Sequence, residues 1–100
     1  MTLVQAYLVN YSIIHESPGD EFRDDYFVVE LEFRTTLKKG GDTYKVISKG
    51  QDLTDVLREL GGEPQWGSIP SRLRSCRKKQ VLLAVSQEGK WPCVKAILLR

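Results

Sequence analysis

The sequence predicts an α+β fold: a five-stranded antiparallel sheet with one helix, in the order β-β-β-α-β-β. Three observations carry this. Residues 26–34 alternate apolar and polar side chains over a full strand length, glycines punctuate the chain at 40–41, 50 and 61–62, and residues 53–60 repeat apolar side chains at helical spacing.

Leu3 to His15 is rich in Val, Ile, Leu and Tyr, with apolar residues on both parities, which predicts a long first strand that is covered on both faces or bent midway. Ser17-Pro18-Gly19 begins a loop that runs through Glu21, Asp24 and Asp25. In the second strand Phe27, Val29, Leu31 and Phe33 alternate with Glu30, Glu32 and Arg34, so one face is buried. Gly40-Gly41 supplies the positive φ of a tight reversal, and Thr43 to Lys49 is the third strand. Asp52 is placed to cap a helix that buries Leu53, Val56, Leu57 and Leu60 and stops at Gly61-Gly62. Residues 63–70 form a Pro/Gly-rich loop, with a short helical turn expected over Pro70 to Cys76. Lys79 to Gln87 and Trp91 to Arg100 are the last two strands, joined by a turn at Gly89. Such a sheet either curls into an OB-like partly closed barrel, whose helix also falls between its third and fourth strands, or stays open with the helix on one face.

With 100 residues, 41% of them hydrophobic and 28% charged, the chain has the size and composition of one globular domain spanning 1–100. The N-terminus lacks the pattern of a secretory signal and no run reaches the length of a membrane helix, so a cytoplasmic protein without a membrane partner is expected. In that compartment Cys76 and Cys93 are expected to stay reduced.

The charge is unevenly spread. Residues 1–36 have a balance of minus five and residues 37–100 a balance of plus seven. Arg72, Arg74, Arg77, Lys78 and Lys79 fall within eight residues, and Lys38, Lys39, Lys45 and Lys49 flank or lie on the third strand. Cations in such clusters attract phosphates, because each contact releases condensed counterions. Tyr26, Tyr44 and Trp66 are the candidate rings on which bases would stack, with Tyr44 and Trp66 preferred. The nucleic-acid site expected from the sequence is therefore Lys38, Lys39, Tyr44, Lys45, Trp66, Arg72, Arg74, Arg77, Lys78 and Lys79.

A protein partner is the alternative. The apolar segment Val94 to Leu99 could form an edge strand that pairs with another chain, including a second copy, and the acidic loop of Glu16, Asp20, Glu21, Asp24 and Asp25 could meet a basic protein. Catalysis has little support. His15 is the only histidine, Cys76 and Cys93 lack zinc-knuckle spacing, and no phosphate-binding glycine pattern occurs, so no metal, cofactor or enzymatic activity is expected.

Overall fold

The computed structural model describes residues 2–22, 25–38, 40–60, 68–88 and 91–98, without the side chains of Glu88 and Trp91. Its elements are β1 (Thr2–Ser17), β2 (Tyr26–Arg34), β3 (Thr43–Lys49), α1 (Gly50–Glu59), α2 (Ile69–Ser75), β4 (Gln80–Glu88) and β5 (Trp91–Leu98). The strands form one antiparallel sheet in the order β3-β2-β1-β4-β5, curled into a half-barrel. Because every neighbouring pair is antiparallel, the two edge strands β3 and β5 run in the same direction. Residues of both line one cleft together with α1.

The curl starts in β1, where the register shifts between Leu8 and Asn10 and again between Ile13 and His15. Each shift inserts one extra residue and reverses the parity of the strand beyond it. The inward set therefore runs Val4, Ala6, Leu8 and then Tyr11, Ile13. Apolar residues on both parities thus reflect a bend, and the structure decides between the two expectations for this strand.

The concave side holds the core. Phe27, Val29, Leu31 and Phe33 of β2 meet Ala6 and Leu8 of β1, Val81 and Leu83 of β4, Leu53 and Leu57 of α1, and Leu73 and Cys76 at α2. At about 25 cal/mol per Å² of apolar area withdrawn from water, each fully buried leucine or phenylalanine contributes roughly 1.5–3 kcal/mol. In β3, Tyr44, Val46 and Ser48 turn inward, while Lys45, Ile47 and Lys49 are exposed on the other side.

Two details differ from the sequence expectation. Asp52 does not cap α1: the helix starts three residues earlier than such a cap implies, at Gly50, its N-cap is Lys49 without a side-chain bond, and Asp52 sits in the first turn. Gly50 has φ +57, so the chain turns from strand to helix with no linker that Asp52 could end. Its carboxylate still favours the positive end of the helix dipole. The second helix is a full element of seven residues, with Pro70 in its first turn and the Ser68 hydroxyl accepting from the Ser71 amide at 3.4 Å. The expected stop at Gly61-Gly62 and the turn at Gly89 lie outside the described residues, as do Leu99 and Arg100. Both cysteines are free, Cys76 buried and Cys93 half-buried.

Candidate polyanion-binding face

The convex side of the sheet is built by the residues that alternate out of the core. On β2 these are Tyr26, Val28, Glu30, Glu32 and Arg34, the last three forming its polar part. Register places Lys45 of β3 and Asn10 of β1 on either side of Glu32, and Thr43 and Tyr7 on either side of Arg34. Tyr7 lies between buried Ala6 and Leu8 and is itself half-buried, so its ring belongs to this outer face.

The turn after α2 adds the rest. The Lys78 amide donates to the Leu8 carbonyl at 2.6 Å, and the Leu8 amide donates to the Lys79 carbonyl at 3.0 Å. These bonds pin residues 76–79 beside β1 at its first bulge, and Arg77 Nη2 donates to the Val9 carbonyl at 3.4 Å. The result is a shallow depression lined by Val9, Asn10, Glu32, Arg34, Leu37, Arg77 and Lys78. Three cations from segments more than forty residues apart in the chain therefore share one recess.

The two carboxylates temper this field without cancelling it. Arg34 Nη2 stands 3.7 Å from Glu32 Oε2 and Lys45 Nζ stands 3.9 Å from Glu30 Oε1, both long pairs, the first between half-buried side chains and the second with an exposed lysine. Pairs this long near the surface are worth about 1 kcal/mol or less, so a phosphate can compete with the carboxylates for these cations.

The fold brings only some of the residues expected from the sequence to this face. Arg77 and Lys78 line the depression, Lys45 stands beside it across from Glu32, and Lys38 is exposed in the β2–β3 turn next to Leu37. Arg74 and Lys79 are exposed but do not line it. Arg72 is buried at 6% exposure, its Nε without a hydrogen-bond partner among the described residues, and so is no surface cation. Tyr44 turns to the concave side and packs against the core, away from these cations. Lys39 and Trp66 lie outside the described residues. Sequence reasoning passed over Arg34 and Tyr7. The outward parity of Arg34 was readable from β2, whereas Tyr7 required knowing that β1 faces inward at even positions only up to its bulge.

The acidic loop is the opposite pole. Asp25 Oδ1 accepts from the Gly19 amide at 2.6 Å, Asp20 Oδ1 accepts from the Phe22 amide at 2.8 Å, and Asp24 lies outside the described residues. His15 is exposed on β1, and at about 3.3 Å per residue it is roughly 20 Å from Leu8, where the Cys76 turn is anchored, so these two cannot act as a catalytic pair. Among the described residues no group of three His, Cys, Asp or Glu side chains is placed to hold a metal, and no helix is long and apolar enough to cross a membrane.

No family model, no curated protein and no solved structure matches the chain.

Proposed function

We propose that the chain is a non-catalytic binding module, an OB-like partly closed barrel whose convex cationic face holds single-stranded nucleic acid by its phosphate backbone. The observation that carries this is the convergence of Arg34, Arg77 and Lys78 on one recess, with Lys45 and Lys38 at its margins. The placement of the helix between the third and fourth strands supports the barrel assignment. Arginine can fork onto phosphate oxygens, and the half-buried ring of Tyr7 opposite Arg34 offers a place for a base to stack. Few exposed rings accompany the cations among the described residues, so binding is mainly electrostatic and sequence-tolerant.

The test is fluorescence polarisation with a labelled oligothymidine across a salt series. Three phosphate contacts on a single strand give a log–log slope of about −2. Arg77→Glu should abolish binding while leaving the melting temperature near that of the parent. No retention of oligonucleotide at low salt would remove this function.

A second reading rests on the open edges. Among the described residues neither β3 nor β5 pairs with a further strand on its far side, and β5 bears one charged residue, Lys95, over Trp91–Leu98. An extended segment of a protein partner, or β5 of a second copy, could add there. Light scattering after size exclusion separates the two readings: a monomer at all concentrations counts against self-pairing and leaves the nucleic-acid proposal standing.

A further inference from the structure

Among the described residues, the half-barrel is open at the end opposite the acidic loop. Its inner layers there end with Val4 across from Leu83 and Thr2 across from Val85. Beyond them is a cavity with an apolar floor of Val4, Tyr44 and Val85 and a rim that includes Thr2, Gln87 and Asp42. Tyr44 is one of the inward residues of β3, half-buried against the core, so its ring is part of the wall. Asp42 is exposed at the rim and is the one ionised side chain among the described residues that line this cavity. Its backbone is fixed independently of its carboxylate: the Asp42 amide donates to Thr35 Oγ1 at 3.0 Å and the Thr35 amide donates to the Asp42 carbonyl at 3.1 Å.

From this juxtaposition we propose that the barrel mouth is a binding site for a small organic cation with an apolar body, the body resting on Val4, Val85 and the Tyr44 ring and the ammonium or guanidinium group facing Asp42. The choice of ligand rests on charge and shape. An apolar floor favours a hydrocarbon or aromatic body, and mouths of barrels are common places for such cavities. A carboxylate with no cation among its described neighbours in the lining leaves a negative potential for the ligand to offset, and the negative face of an aromatic ring adds attraction of the same sign. Anions are disfavoured at this mouth for the same reason that they are favoured on the convex face. The two sites are therefore opposite in sign and lie on opposite faces of the sheet.

The experiment is a chemical-shift titration of the isotopically labelled protein with benzylammonium, with neutral benzyl alcohol as its near-isostere. Benzylammonium should produce saturable shifts at Val4, Tyr44 and Val85 and bind about fivefold more tightly than the alcohol, the combined effect expected of one exposed ion pair and one cation–ring contact. Asp42→Asn keeps both backbone bonds to Thr35 and should retain the parent spectrum while losing the preference. Equal affinity for the two probes, a preference that survives in Asp42→Asn, or shifts that avoid the mouth residues would each overturn the proposal. None of these outcomes bears on oligonucleotide binding.

Discussion

The Tyr26 ring lies over Gly50, its Cε2 atom 3.3 Å from where a β-carbon on that glycine would stand. Gly50 also has φ +57, and it is the point where β3 becomes α1 without a linker. Two costs therefore coincide in Gly50→Ala: the left-handed backbone penalty of about 1–2 kcal/mol and the displacement of the ring. The variant should lose about 2 kcal/mol in urea denaturation. Tyr26→Ala in the same background should recover part of that loss, since the contact is then gone and only the backbone term remains. An alanine that costs nothing would mean that the strand-to-helix junction is not held as described.

Arg72 sits on α2 on the face that Ile69, Leu73 and Cys76 share by helical spacing, and it is buried with Leu73 and Cys76 beside half-buried Ile69. Its Nε has no acceptor among the described residues, and a buried donor without a partner costs about 1–3 kcal/mol. Arg72→Met keeps the aliphatic stem and removes the donor, so it should be as stable as the parent or up to about 1 kcal/mol more stable. Arg72→Ala removes the stem as well and should lose about 1–3 kcal/mol. Arg72→Met should also leave the salt dependence of oligonucleotide binding unchanged, because this cation does not reach the surface. A weakened slope would place the guanidinium on the binding face instead.

These two positions show what a single sequence does and does not carry. The alternation in β2 needs only local periodicity, so its buried face was readable residue by residue. The bulges in β1 left a trace, the switch of apolar parity between Leu8 and Tyr11, which a bent strand explains and a straight one does not. The burial of Arg72 was also encoded, since Ile69, Arg72, Leu73 and Cys76 fit the i, i+3, i+4, i+7 pattern, but a charged side chain in that stripe reads as surface until packing is seen. Which cations meet was not legible at all. It depends on β4 pairing with β1, which brings the end of α2 beside the polar face of β2, and a non-local pairing of that kind leaves no mark in spacing or composition.

The buried Cys76 thiol has its pKa raised above the ordinary 9.0, chiefly because burial penalises the thiolate, against weaker opposing effects of Lys79, Arg72 and the Ser75 hydroxyl. The folded state then holds this proton more tightly than the unfolded state. The resulting contribution to stability is intact below pH 9 and is lost as pH rises from there toward the folded value. Cys76→Ala should therefore flatten the fall in stability above about pH 9, at the cost of a small cavity. A disulfide-exchange reagent at neutral pH should modify half-buried Cys93 first and reach Cys76 only on unfolding. Equal rates at the two thiols would contradict the burial of Cys76.

Lys78 combines a structural cost with the proposed role. It is the one non-glycine residue among those described with positive φ, at +70, in the turn that hydrogen-bonds to Leu8 and delivers Arg77 and Lys78 to the recess. A left-handed lysine costs more than a glycine there, so Lys78→Gly should gain about 0.5–1 kcal/mol of stability. The same change removes one phosphate contact and should reduce the magnitude of the salt slope by about 0.7. Stability and binding thus move in opposite directions in one variant, which a purely structural lysine would not produce. Arg74→Ala, on an exposed position of α2 that does not line the recess, should leave the slope unchanged. If Lys78→Gly leaves the slope unchanged while Arg74→Ala reduces it, the phosphate path runs over α2 and not across the convex face of the sheet.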